Sequence, residues 1–290
     1  MCKKHLNLPI LLITLLLISS CSLQKLAIRS TAGLLDASFT SLMAEDDLTL
    51  ARTAIESDLK LLEGIIQTDP KNERLLLLAA MGFASYSLAF VEDENHERAA
   101  RLYFRSREYA NRWLIQKTGI NFLAIDRLDE FQEKVTKLPD KAAPGCFWLG
   151  NSWSSALNLN LDNVAAIADF PKVEALMAFV LNTDEMYYYA TVHLFFASYY
   201  GGKPRLFGGD PEKARRHFQR HRELTGGSFL LSEFFKVKYV DLPALDEESA
   251  RTSLQRILDF NLDSAPEIRL INRVAQKKAM YLLEHLEEYL

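Results

Sequence analysis

Three groups of residues in this chain have types and spacing that could do chemistry. The first is Cys21, which follows Ile18-Ser19-Ser20 directly. Ahead of it, Lys3 and Lys4 make a short cationic start, and Leu8 to Ile18 make an apolar run interrupted only by Pro9 and Thr14. Roughly 20 apolar residues are needed to span a bilayer as a helix, so this shorter run reads as the apolar part of an export leader. Small residues before a cysteine suit cleavage at that point and acylation of the exposed thiol. An acylated Cys21 with two or more chains supplies the combination that stable anchoring requires.

The second group is His217 and His221, four apart on one helix face. That spacing can hold a metal, but no glutamate follows His217, and Arg215, Arg216, Arg220 and Arg222 surround the pair with a field that repels cations. The expectation is therefore a solvated basic face without a metal. On it, Lys213, Arg216 and Arg220 are candidates for docking an acidic partner. The third group is aromatic. Tyr189, His193, Phe196 and Tyr200 share one helix face, and Tyr188, Val192, Phe195 and Tyr199 share the next. A helix apolar nearly all round packs as core. The functional alternative is that one face lines an internal chamber, with the tyrosine hydroxyls and His193 orienting a ligand.

Trp148, Ser152 and Trp153 belong to the same question. Five residues on a helix turn the two tryptophans about 140° apart, so both face one pocket only if their helix lies between two surfaces. Ser152, Ser155 and Ala156 make a small-residue face beside Trp148, suited to close helix approach or to a ligand. No catalytic motif emerges. Gly150-Asn151-Ser152-Trp153-Ser154 lacks the closing glycine of a nucleophile elbow. Gly201-Gly202-Lys203 leads to Pro204 rather than to the Ser or Thr of a phosphate loop. Cys146, between Gly145 and Phe147, reads as a small buried apolar residue. No cofactor is expected.

The elements that must position these groups are helices. Ala51, Ala54, Ile55, Leu59, Leu62, Ile65 and Ile66 follow helical spacing. Asp69-Pro70 ends that helix, because the residue before a proline avoids the α region. Further helices are predicted from about 75 to 90, 96–117, 121–137, 147–159, 172–182, 186–200, 211–225, 229–240, 247–260 and 267–288. Asp210-Pro211 and Asp246-Glu247-Glu248 supply N-caps and first turns. No period-two strand is found, so the fold class is all-α. Ala100 with Phe104, Ala175 with Phe179, and Ala214 with Phe218 match the Ala-x-x-x-aromatic pattern of tetratricopeptide repeats, but their spacing is not a multiple of that repeat. The expected architecture is an irregular tetratricopeptide-like helical-pair solenoid curled into a compact bundle. It divides into a leader over 1–20, a lipid-anchored tether over 21–46 and a helical domain over 47–290. A general α-bundle is the alternative.

Composition limits the function classes. Hydrophobic residues make 49% and charged residues 25% of the 290-residue chain, the balance of a globular protein. Losing Lys3 and Lys4 with the leader takes the net charge from −4 to −6. That argues against a nucleic-acid partner, which calls for a basic domain. With Cys2 removed and Cys21 acylated, Cys146 stands alone and no intrachain disulfide can form.

Longer stretches carry a family resemblance. Leu102-Tyr103-Phe104-Arg105-Ser106-Arg107-Glu108-Tyr109-Ala110, Phe147-Trp148-Leu149-Gly150-Asn151-Ser152-Trp153 and Phe170-Pro171-Lys172-Val173-Glu174-Ala175-Leu176 are three of them. Two more are Gly208-Gly209-Asp210-Pro211-Glu212-Lys213-Ala214-Arg215-Arg216-His217-Phe218 and Asn272-Arg273-Val274-Ala275-Gln276-Lys277-Lys278-Ala279. In this order, behind a lipobox, the chain resembles the T-component (TatT) family of tripartite ATP-independent periplasmic (TRAP) transporters. The resemblance implies a non-enzymatic periplasmic lipoprotein, a homotrimer with a cavity or pore in each protomer. It also implies a partner, the periplasmic solute-binding protein of a TRAP system, with apolar ligands as cargo. Ser22 after Cys21 points to the outer membrane. The rival reading is a general helical-repeat scaffold lipoprotein of outer-membrane assembly. A cell-wall hydrolase would need a convergent acid, base or nucleophile in a cleft.

Overall fold

The computed structural model describes residues 32–160 and 167–290, so the leader and Cys21 lie outside the described residues. The described residues are helical throughout their regular structure and contain no strand. Twelve helices succeed one another: α1 Ala32–Met43, α2 Leu48–Thr68, α3 Glu73–Tyr86, α4 His96–Thr118, α5 Leu128–Thr136 and α6 Ala143–Asn158. Then come α7 Phe170–Thr183, α8 Val192–Gly201, α9 Pro211–Thr225, α10 Leu231–Lys236, α11 Glu247–Asp259 and α12 Arg269–Glu284.

Local chemistry sets most of the starts. Asp47 accepts the backbone N–H groups of Thr49 and Leu50 at 2.8 and 3.1 Å, and Asn95 accepts that of Arg98 at 2.8 Å. Asp210 accepts the Lys213 N–H at 2.9 Å with Pro211 at the first helical position, and Asp246 accepts the Ser249 N–H at 3.1 Å. Each cap satisfies a donor that the helix itself cannot. Two helices end in a widened turn, α3 through Ser87–Val91 and α10 through Val237–Asp241. Between α4 and α6 the predicted single helix is instead a short 3₁₀ turn, Phe122–Ala124, followed by α5.

In the first part of the chain α2 packs on α3, α3 on α4, α4 on α6 and α6 on α7, with α5 set against α7; α8 to α12 pack in succession, and α12 returns to α1 and α2. Lys278 pairs with Asp93, and Arg269 donates to the Ala44 carbonyl, fixing the last helix against the first part of the chain. Phe39 and Met43, in the stretch read as a tether, pack with the body. Burial separates two cores. One, built by α2 to α7 with Val192, Phe195 and Phe196 of α8, holds Phe83, Tyr103, Leu114, Phe122, Phe131, Phe147, Trp148 and Leu176. The other, built by α8 to α12, holds Phe218, Phe229, Leu254, Ile257, Ala275 and Leu282. Leu88 and Tyr200 pack against both. α3 with its continuation is apolar all round because α2 and α4 flank it. The three Ala-x-x-x-Phe pairs do not share one environment. Ala214 and Phe218 are both buried, whereas Phe104, Ala175 and Phe179 are half-buried.

Candidate functional site at the seam of the two cores

The helix predicted over 186–200 is broken. Tyr188, Tyr189 and Ala190 stand at φ 45°, 59° and 55°, so a left-handed turn separates Tyr187 from α8. For L-residues this conformation costs roughly 1–2 kcal/mol each, and such strain persists only where the surroundings over-determine it. Here they do. The Trp148 indole N–H donates to the Tyr187 hydroxyl at 3.0 Å. The Tyr188 ring meets Trp148 edge-on at 4.7 Å between centroids and lies 5.9 Å from Phe147. Tyr189 turns the other way, onto Phe229 at 5.6 Å. The reversal sends consecutive tyrosines into different cores, which an unbroken helix could not do.

The seven aromatic-group candidates therefore fall into two sets. Trp148, Ser152 and Trp153 are buried in the first core. Ser152 Oγ lies 2.5 Å from Ser106 Oγ, which donates onward to the Ala80 carbonyl at 2.6 Å, so this small-residue face serves close helix approach. Trp153 faces away from Trp148, packing on Phe131 with the Arg107 guanidinium 5.2 Å and the Lys172 ammonium 5.9 Å from its ring. Tyr189, His193, Phe196 and Tyr200 lie instead at the seam, against α9. Two open surface grooves among the described residues lie elsewhere. One of about 980 Å³ is lined by Arg251, Gln255, Arg256, Phe260 and Leu283, among others, and one of about 460 Å³ by Arg222, Glu233, Lys236 and Ser253, among others.

On α9 the expectation of a wholly solvated face needs correcting. Ala214, His217, Phe218 and His221 form its inward side, and His221 is fully buried. The 3.6-residue period puts these four within one narrow arc, a signal that the surrounding arginines masked. His217 stacks against Phe196 and Tyr200, with centroids 5.3 and 6.0 Å away. Its Nδ1 lies 2.9 Å from Nδ1 of His193, whose Nε2 lies 3.2 Å from Glu185 Oε2. Arg220 donates to the other Glu185 oxygen at 2.6 Å. A carboxylate accepts only, so His193 donates from Nε2, and a neutral His193 then accepts from His217 at Nδ1. Glu185, which the sequence reading missed, thus fixes the tautomers of both rings.

Electrostatics agree with neutral rings. Burial holds His193 below its ordinary value despite Glu185, and burial with His193, Arg216 and Lys213 nearby brings His217 down to about 4. Burial takes His221 to about 4 as well, opposed by the Tyr189 backbone, and among the described residues no side chain or backbone group lies in hydrogen-bonding geometry to either ring nitrogen. Glu185 is held low, first by the Arg220 hydrogen bond and then by His193. No group of three or more His, Cys, Asp or Glu among the described residues is placed to hold a metal. Cys146 is buried, and burial drives its thiol far above the ordinary range, which makes it a packing residue.

Lys213, Arg216 and Arg220 remain on the exposed side of α9, one stripe beside the histidines. Arg220 is braced by Glu185 and Glu223, and Lys213 lies 4.0 Å from Asp210 and over the Tyr200 ring at 5.0 Å. Residues 203–223 hold seven cationic side chains against three carboxylates, a net of +4, so the rest of the chain after Cys21 carries −10.

An all-helical body with two cores, joined at an aromatic seam and carrying a basic stripe, places the chain in the all-α class. The family follows from comparison. The family model of the TRAP transporter T-component matches residues 44–290, and the chain belongs to that family. The family is one of transport accessories associated with TRAP systems, not of enzymes. The chain is also 24% identical to an uncharacterized protein of Treponema pallidum (strain Nichols), over 94% of each chain.

Proposed function

We propose that this protein is a lipid-anchored periplasmic accessory that holds the solute-binding protein of its TRAP system against the exposed side of α9. Cys21 is the acylated residue, and the outer membrane is its location. The observation that carries the docking half is the Lys213, Arg216 and Arg220 stripe, part of the run 213–222 that holds five cationic side chains and no carboxylate in an acidic chain. Complementary charge steers association and sets partner choice more than it adds raw affinity. Part of the stripe is held in place, since Glu185 braces Arg220 from the α7–α8 turn. A ligand-sheltering role, if the rings part to admit one, falls to the seam at Tyr189, His193, Phe196 and Tyr200, where rings of mixed polarity converge. Homotrimer formation belongs to the same proposal.

The test is a binding titration between the purified lipoprotein and a purified TRAP-type solute-binding protein from the same bacterium. Charge reversal at Lys213, Arg216 and Arg220 together is expected to weaken binding at least tenfold at low salt and to flatten its salt dependence. Binding equal to wild type at every salt concentration would sink the docking site. Mass spectrometry of the N-terminus addresses the anchor, with an unmodified cysteine as the adverse result.

A further inference from the structure

Between the aromatic seam and the basic stripe runs the segment Gly201 to Asp210, and it is built as a closed, rigid finger. Asp210 donates its backbone N–H to the Tyr200 carbonyl at 2.9 Å, so the two ends of the segment are tied together. Inside it, Gly208 donates to the Arg205 carbonyl and Gly209 to the Pro204 carbonyl, both at 3.1 Å. Two glycines are there because the chain approaches itself closely. A Cβ on Gly209 would fall 1.9 Å from the Lys203 carbonyl oxygen, and one on Gly201 would fall 2.4 Å from that of Tyr239. The base is pinned as well. The Lys203 ammonium sits 3.2 Å from the centroid of the Tyr199 ring, whose hydroxyl donates to Glu174 at 2.8 Å.

This rigid support ends in an apolar tip. Leu206 is 89% exposed, more than Leu245 at 68% or Leu61 at 64%. Arg205 is exposed beside it, and the segment runs straight into the N-cap of α9 and the basic stripe. A single exposed leucine is ordinary on a surface. A leucine held out on a loop closed by three backbone bonds, at the head of the most basic stretch of an acidic chain, is not.

We infer that Leu206 is the apolar anchor of the docking surface, entering a shallow apolar pocket with a carboxylate rim on the solute-binding protein. This deepens the docking reading and rests on it. Arg205 meets the rim, while Lys213, Arg216 and Arg220 meet acidic surface further along. The charge balance favours an acidic protein as occupant, and the rigidity favours a pocket of fixed shape. Preorganisation strengthens binding by removing the ordering cost at the contact, and it adds nothing to insertion into a fluid bilayer. Stable membrane binding also needs more than one apolar signal, and one leucine falls short of that. The anchor-and-rim arrangement matches interfaces in which a few central side chains dominate affinity while peripheral charges govern the on-rate.

The experiment compares Leu206→Ala, Leu206→Asp, Arg205→Glu and the triple reversal at Lys213, Arg216 and Arg220, all in the full acylated chain in detergent. Affinity and rates are read with a purified TRAP-type solute-binding protein. Leu206→Ala is expected to weaken binding about tenfold, chiefly through faster dissociation, and Leu206→Asp by more. Arg205→Glu should slow association. An unchanged thermal midpoint in each variant shows that the body stays folded. If the triple reversal weakens binding while both Leu206 variants bind as wild type, the anchor is wrong and the docking surface stands. If the wild-type chain does not bind, both fall. The assignment is likewise overturned if Leu206→Asp leaves partner affinity unchanged but lowers the sedimenting mass or, on a Cys21→Ser background that carries no acyl chain, abolishes flotation with phosphatidylglycerol–phosphatidylethanolamine vesicles. Those results would make the bilayer or a second copy the occupant.

Discussion

The two cores solve the same packing problem in different ways. In the α2–α7 region nearly every polar group near the core has a partner. Tyr103 donates to Glu92 at 2.6 Å, Tyr109 to Glu63 at 3.0 Å, and Asn111 donates its side-chain amide to Asn121 while accepting the Phe122 N–H. The α8–α12 region is less settled. It begins at a left-handed turn, buries His221 with no described group in hydrogen-bonding geometry to either nitrogen, and couples two neutral histidines to an exposed ion pair. It also carries the basic stripe and the apolar finger. A region that spends its polar groups on its own interior has little left to offer a partner. The docking surface proposed above lies on the second core, and the first supports it.

The largest expected effect is in the first core. Trp148→Ala should destabilise the protein by about 3–5 kcal/mol, since it empties a large buried volume and removes the donor to Tyr187 that holds the left-handed turn. Denaturant titration measures this, and a loss near 1 kcal/mol would contradict the assignment of Trp148 as a keystone.

The next effect separates the regions by pH. His193, His217 and His221 are held below their unfolded values, so the unfolded state binds protons that the folded state refuses. Stability should be fully present above about pH 6.5 and fall as the pH drops towards 4. His221 alone accounts for about 3 kcal/mol of that loss. Denaturant titrations across this range should show His221→Phe with a shallower fall than wild type, and equal slopes would remove His221 from the account.

A smaller contrast compares two fully buried alanines. Ala79→Gly lies in right-handed α3 and should cost about 1–2 kcal/mol, from helix propensity and a lost methyl. Ala190→Gly also loses a methyl but relieves the left-handed strain, so its net effect should be within about 0.5 kcal/mol of zero. Comparable losses at the two sites would argue that Ala190 is not strained.

How much of this was legible depended on the range of the interaction involved. Asp69-Pro70, Asp210-Pro211 and Asp246-Glu247-Glu248 act within a turn or two of chain, and the structure places helix ends at each. The inward side of α9 was legible in principle from Ala214, Phe218 and His221, but the arginines between them dominated the reading. The turn at Tyr188 to Ala190 carried no local mark. It contains no glycine or asparagine, and helical spacing runs straight through it. Its cause lies in Trp148 and Phe147 on one side and Phe229 on the other, each some 40 residues away along the chain.

By itself, then, the sequence determined an all-helical chain, the positions of its caps and breaks, an acidic chain with its densest basic run at 213–222, and its family resemblance. These follow from periodicity, capping chemistry and charge, which act over a few residues or none. Only the tertiary structure decided that the tryptophans serve packing, that two histidines of a basic helix turn inward, and that Leu206 stands out on a rigid finger. Burial and strain depend on which distant helices meet, and no local pattern contains that information.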